Sequence, residues 1–410
     1  MKILFSPYTE NFEWLEEFFP ERSLCSLPIT GKPYAEHAAD FAAMLGADGL
    51  LILDYNPDSA YRKRLERTSS NYPLDISYAA SSLSADVLRL KSRNSAFFGT
   101  DDVLVVFGAV LPLVKSADDV LKHMEEISAP VPEDFTQDGI YLFKDGRAFR
   151  FGGKILKMDS IRAYFDANFE ILENRFCYVP AGYSAQNGVY AGMNVEIKQN
   201  TQIDAPVMLG DNICIEHGCT LAGGVIVCDG SLIDAETLLE HSIVMCDTFV
   251  GSKMEFKNKI ISRGRIIDAI RGVYIDQKDA GISSDMKSRR LDKYVFAEWI
   301  LMAFFGVAGF VPWLFASLLL RKNRVWQLKL SLDRYPKLWR SLLRGGRMIR
   351  RNAADKNYVL RASDGYCMNA SPERQNIDDL YYLHHISLRM ILRIVAKSII
   401  LRSLPNECDR

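Results

Sequence analysis

The 410-residue sequence predicts a three-part chain: an α/β domain, a left-handed parallel β-helix, and a membrane-associated α-helical region. Three observations predict it. Short apolar runs alternate with a helical pattern before residue 180, a period of six runs through the middle, and 22 uncharged residues, Trp299–Leu320, precede a basic tail. The expected domains are 1–180, 186–276, 286–325 (the membrane helix) and 326–410 (the tail).

In the first part, Met1–Ser6, Gly49–Asp54, Asp75–Tyr78 and Asp102–Phe107 read as buried strands, and Tyr34–Leu45 carries apolar residues at helical spacing. Strands alternating with helices predict a parallel sheet. Gly139–Phe143 and Arg147–Phe151, joined by Lys144-Asp145-Gly146, predict a hairpin on that sheet. Met1–Phe5 runs straight into a strand, so it is not expected to be a signal peptide.

The second part is a ladder. Ala191, Ile197, Ile203, Leu209, Ile215, Leu221, Val227, Ile233 and Leu239 recur every six residues, each preceded two places earlier by a small or β-branched residue. Turn formers such as Gly210-Asp211-Asn212 and Gly223-Gly224 fill the gaps. This period fits neither an α-helix nor a plain strand, but it fits a β-helix whose hexapeptides each form one face and one corner. From Glu240 the phase slips to Val244, Val250 and Phe256, and the solenoid is expected to end near Asp276.

The third part begins at Trp299. The uncharged run is long enough to cross a bilayer core. Pro312 interrupts it, and both flanks are basic, with Arg289 and Arg290 before and Arg321 and Lys322 after. The positive-inside rule then places both flanks on one side, which predicts a re-entrant helix bent at Pro312, with a simple transmembrane helix as the alternative. Between Arg321 and Arg351 stand eleven basic residues and one acid, Asp333. Interleaved with Trp326, Leu338 and Trp339, they predict amphipathic helices on anionic headgroups. A last helix, about Ile377–Leu404, repeats the pattern with Arg389, Arg393 and Lys397 on one stripe, and a soluble helix with a solvated face is the alternative.

Charge is balanced, with 50 basic and 51 acidic residues, so no nucleic-acid partner is expected. The eight cysteines show no paired spacing and read as reduced, structural residues.

Two resemblances add to this reading. Leu27-Pro28-Ile29-Thr30-Gly31-Lys32-Pro33, followed by Gly46–Leu53, resembles the turn of sugar-phosphate nucleotidyltransferases, whose Rossmann-like α/β domain often precedes a hexapeptide β-helix. The resemblance implies a nucleotidyltransferase-like head over about residues 1–275, and Leu238–Ile243 through Lys259–Ile261 is similar to the end of that family's solenoid. The chemistry does not carry over. The family's glycine-rich phosphate loop is replaced by Ser6-Pro7-Tyr8-Thr9-Glu10-Asn11, and the carboxylate that follows its strand glycine and holds Mg²⁺ is replaced by Ala109 after Gly108. Lys32 is expected to be structural. His217 and His241 suggest a hexapeptide acyltransferase base, or merely polar residues on a solenoid face.

Arg289-Arg290-Leu291-Asp292, the proline-broken helix, Ser331-Leu332-Asp333-Arg334-Tyr335-Pro336 and Asp378–Tyr382 are similar, in that order, to bacterial sugar transferases, the monotopic polyisoprenyl-phosphate phosphoglycosyl transferases. This resemblance implies Asp333 as a nucleophile and Mg²⁺ as cofactor if the chain is active. It further implies a nucleotide sugar and polyprenyl phosphate as substrates, on the cytoplasmic face of the bacterial inner membrane. Arg334 stands where the family has a glutamate; it would lower the pKa of Asp333 but cannot ligate Mg²⁺. Both catalytic units therefore look degenerate. The expected function is sugar-1-phosphate transfer in envelope or exopolysaccharide assembly. A non-catalytic adaptor that organises other polysaccharide-assembly proteins is one alternative, and a sugar nucleotidyltransferase or acyltransferase is another. Self-association through the β-helix is a further expectation.

Overall fold

The computed structural model describes residues 1–8, 13–54, 60–68, 74–80, 86–99, 101–128, 132–174, 176–179, 181–186, 188–277, 279, 281–286, 295–319, 334–344, 346–350, 358–365, 375, 382 and 388–403. The chain divides into two compact units, one of Met1–Asp211 with Ile215–Ser284 and the other of Asn212–Cys214 with Asp285–Arg410.

The first unit opens with the mixed, largely parallel α/β sheet that the sequence predicts. Its strands are β1 (Lys2–Ser6), β2 (Gly49–Asp54), β3 (Asp75–Ala80), β4 (Val103–Phe107), β5 (Met124–Glu126), β6 (Gly139–Lys144) and β7 (Arg147–Phe151). Their order is β3-β2-β1-β4-β6-β7-β5; β3, β2, β1 and β4 are parallel, and β6, β7 and β5 follow antiparallel. The strands read as unbroken apolar runs because both faces are covered. Ile3, Phe5, Leu50, Ile52, Leu104 and Val106 enter one core, while Leu4, Leu51, Leu53, Val103 and Val105 enter a second on the opposite face. Helices α1 (Tyr34–Met44), α2 (Ala60–Thr68), α3 (Val87–Arg93) and α4 (Ile161–Asn174) connect or flank the strands.

Beyond residue 188 the hexad period appears as pairing offsets. Val189–Ala191 pairs in parallel with Val207–Leu209, which pairs with Val225–Val227, each step being 18 residues, or three hexads. Two further rows of short strands complete each turn: Val195–Ile197, Ile213–Ile215, Leu232–Ile233 and Thr248–Val250 in one, with Gln202–Ile203, Thr220–Leu221 and Leu238–Leu239 in the other. Leu209, Ile215, Leu221, Val227, Ile233 and Leu239 are all buried. Ile197, expected inward, is 43% exposed, because its strand ends its row and no coil stacks beyond it.

The corners explain the period. Asn194, Asn200, Asn212, Gly218, Gly224, Gly230 and Glu236 all have φ between 57° and 89°, the left-handed region that asparagine and glycine enter most readily. The phase slip also has a place. After Glu236 the next such corner is His241, five residues on, so Val225 pairs with Ser242 at an offset of 17. Val244, Val250 and Phe256 are consequently buried, as the slipped phase requires. The stack closes through antiparallel strands Lys259–Ser262, Arg265–Asp268 and Val273–Asp276, and Ser283–Asp285 joins the row ending at Thr248–Val250.

Head and stack share one core, in which Tyr164 and Phe165 of α4 join Met208, Ile226, Ile243 and Ile260 of the stack.

The second unit contains α5 (Val295–Ala308), α6 (Phe310–Leu319), α7 (Arg334–Leu343), the parallel strands Arg347–Ile349 and Tyr358–Leu360, and α8 (Leu388–Ser403). Among the described residues no single helix is long and apolar enough to cross a membrane; α5 and α6 form an apolar pair bent by 55°. The bend lies between Ala308 and Trp313, a break that includes both Gly309 and Pro312. Pro312 falls in the first turn of α6, where its missing N–H costs no helical bond. A side chain on Gly309 would lie 2.5 Å from the Phe305 carbonyl oxygen, and close to the Tyr335 ring that stacks on Trp313.

The tail helices use their apolar stripes differently from the expectation. Leu338 of α7 and Ile391, Ile394 and Val395 of α8 are buried together with Met302 and Ile349, so these faces cover one another instead of lipid. Arg389 and Arg393 are exposed, as a solvated face requires. On α5 and α6, by contrast, Ile300, Phe304, Val307, Val311, Phe315 and Leu318 are each more than 60% exposed.

Candidate functional site

In an open α/β sheet a ligand binds beyond the carboxyl ends of the parallel strands, where the strand order reverses. Here that place lies between β1 and β4, beyond Ser6, Asp54 and Phe107. Beside it, at the ends of β1 and β2, side chains pack together. Tyr8, two residues past β1, is buried; its hydroxyl donates to Asp54 Oδ1 at 2.8 Å and accepts from the Leu24 amide at 3.1 Å. Cys25 is fully buried beside it, its thiol donating to the Leu53 carbonyl, and Tyr61 of α2 is 3% exposed. Burial pushes the Tyr8 and Tyr61 hydroxyls and the Cys25 thiol above their ordinary ranges, so none is available as a nucleophile or base near neutrality. Arg62 closes the same edge with its guanidinium 4.2 Å from the Tyr78 ring centroid.

At the end of β4 the Gly108 amide donates to the Ser6 carbonyl. A Cβ on Gly108 would come within 2.4 Å of the Asp138 side chain, so that position is restricted to glycine. Asp138 is thus a carboxylate beside the end of β4, but one carboxylate does not make a Mg²⁺ site. Among the described residues no group of three or more His, Cys, Asp or Glu side chains could hold a metal ion. These residues do not fit the cation that the resemblance implies.

The Leu27–Pro33 segment has a different task. Pro28–Ile29 pairs with Lys32–Pro33 through a two-residue turn, with Thr30 and Gly31 both at positive φ (46° and 79°), as a tight hairpin requires. Asn168 of α4 clasps Thr30, its Oδ1 accepting from the Thr30 amide at 2.7 Å and its carbonyl from the Thr30 hydroxyl at 3.0 Å. A Cβ on Gly31 would lie 3.2 Å from Met208 of the stack. Lys32, 3% exposed, donates to Asp40 Oδ2 at 2.7 Å and to the Val179 carbonyl, with Glu36 3.7 Å away. Arg64 continues the network from Glu36, at 3.1 Å, to Asp229 on the stack. The motif is therefore a joint inside the first unit.

His241 also serves packing: its ring stacks on Phe169 at 3.9 Å and meets Phe165 edge-on at 5.2 Å. His217 is exposed, 3.9 Å from Glu216.

In the second unit, Asp333 lies outside the described residues, as do Arg289, Arg290, Arg321 and Lys322. Arg334 is an ion-pair partner: one guanidinium nitrogen meets Asp364 Oδ2 at 3.0 Å, and the same oxygen accepts from the Arg361 amide. Sequence reading missed Glu298, fully buried and accepting from the Met348 amide at 3.1 Å and the Tyr382 hydroxyl at 3.3 Å. A lone acid at the head of an apolar run was the available signal.

Neither family models nor curated proteins match this chain. A solved UDP-glucose pyrophosphorylase, complexed with UDP-glucose, is similar at 15% identity over 42% of this chain and 98% of that one, with a TM-score of 0.28. That likeness is too slight to carry an argument about the site.

Proposed function

We propose that this protein is a membrane-associated, non-catalytic adaptor of polysaccharide assembly, in which a nucleotidyltransferase-like head and a left-handed β-helix serve as a rigid platform. The side chains packed over the ends of β1 and β2 carry the reading. Tyr8, Cys25, Asp54 and Tyr61 are buried together at the carboxyl ends of β1 and β2, beside the place a nucleotide would need, and Tyr8 donates to Asp54 there. The bent apolar pair α5–α6 supports the membrane assignment, since soluble proteins rarely expose large contiguous apolar patches. Sugar nucleotidyl transfer by the head is the second reading, favoured by the Asp138 carboxylate at the end of β4.

Purified full-length protein, incubated with Mg²⁺, polyprenyl phosphate and a panel of nucleotide sugars, is expected to form no lipid-linked product above a protein-free control. It is expected to float with phospholipid vesicles, and Val307→Asp with Val311→Asp to reduce the floated fraction severalfold. Product formation abolished by Asp333→Asn would establish a transferase instead. Absence of flotation would remove the membrane from the reading.

A further inference from the structure

The opposite end of the head sheet carries a cleft, away from the carboxyl ends of β1, β2 and β4. It opens at the amino end of β4 and beside the β6–β7 turn, and has a volume of about 970 Å³. That is the size range of small-molecule sites. Its floor is apolar: Phe98, Val103, Phe135 and Phe143 are each at most 9% exposed. Lys91 of α3 stands in the wall with its ammonium 4.2 Å from the Phe143 ring centroid, and Ser92 and Ser95 lie beside it.

The charges lining the cleft are unequal in their partners. Asp101 pairs with Lys2 at 3.3 Å, Asp102 with Lys144 at 3.7 Å, and Glu126 with Arg147 at 3.7 Å. Asp145 is exposed at the hairpin tip. Among the described residues Lys91 has an aromatic face beside it and no carboxylate. A partly desolvated cation above a ring gains most from an anion that also shields it from water. Partial burial lowers the pKa of Lys91, in keeping with a cation short of counter-charge. The neighbouring wall and floor offer hydroxyls and aromatic surface, which suits a ligand with a flat apolar body and one acidic group.

We infer that this cleft binds a small aromatic or otherwise flat organic anion, with Lys91 meeting the acidic group and Phe98, Phe135 and Phe143 enclosing the body. The site is independent of the crevice between β1 and β4.

Calorimetric titration of the full chain with 1-naphthoate and with its neutral analogue 1-naphthalenemethanol tests this directly. The naphthoate is expected to bind at least tenfold more tightly than the alcohol. Lys91→Gln should erase that preference while leaving alcohol binding within twofold, and Lys91→Arg should retain it. Because Lys91 is surface-accessible, the variants should melt like wild type. Equal affinities for the two probes in wild type, unchanged naphthoate affinity in Lys91→Gln, or binding of neither probe would overturn the inference.

Discussion

Replacing Ile215 by aspartate is expected to unfold the first unit at temperatures where wild type is fully folded. Ile215 is completely buried in the stacked coils, its strand lying between Val195–Ile197 and Leu232–Ile233. A carboxylate placed there has no partner, and the penalty is several kcal/mol, on the order of 3–5. The lost apolar burial adds roughly 2 kcal/mol. A domain stable by about 5–15 kcal/mol has little margin for that sum. Because α4 of the head shares the stack's core, head and stack should melt together. Ile215→Val, which removes one methylene, should cost only about 1 kcal/mol. Circular-dichroism melts of both variants check the result; an aspartate variant with wild-type stability would mean that the rung does not point inward.

Lys32→Met is expected to destabilise the same unit by about 3–5 kcal/mol, the cost of stranding a buried charge by removing its partner. Asp40 is the group left behind: it is buried, and its Oδ2 would lose the Lys32 ammonium while keeping the Val179 amide at 3.1 Å. Glu36 would keep Arg64. Adding Asp40→Leu to Lys32→Met should recover part of the loss, because replacing both members of a buried pair removes the stranded charge. Urea unfolding of the single and double variants measures this. If Lys32→Met kept wild-type stability and instead lost ligand affinity, Lys32 would belong to a binding site and not to the joint.

Much of this architecture was legible because it rests on repetition. One left-handed corner every six residues forces asparagine or glycine to recur, and one inward rung per hexad forces the aliphatic ladder, so the sequence carries both periods. Strands β1, β2 and β4 were legible because burial on both faces confines polar residues to their ends. The site was less legible. Tyr8 and Asp54 are 46 residues apart, and nothing local in either marks them as partners that close a crevice. Lys32 sits in a motif that resembles a catalytic family's, yet its role is decided by Asp40, Glu36 and Val179, which only the fold brings together. In the tail, an apolar helical stripe has the same period whether it meets lipid or protein, so the burial of Ile391 and Ile394 against Leu338 could not be foreseen.

The head is not expected to take a nucleotide, because its own side chains pack over the carboxyl ends of β1 and β2. Calorimetric titration of the full-length chain with a nucleoside triphosphate, with and without Mg²⁺, tests it most directly. The account predicts no saturable heat up to millimolar nucleotide under either condition. Saturable, Mg²⁺-dependent binding in the micromolar range, weakened by Asp138→Asn, would contradict it.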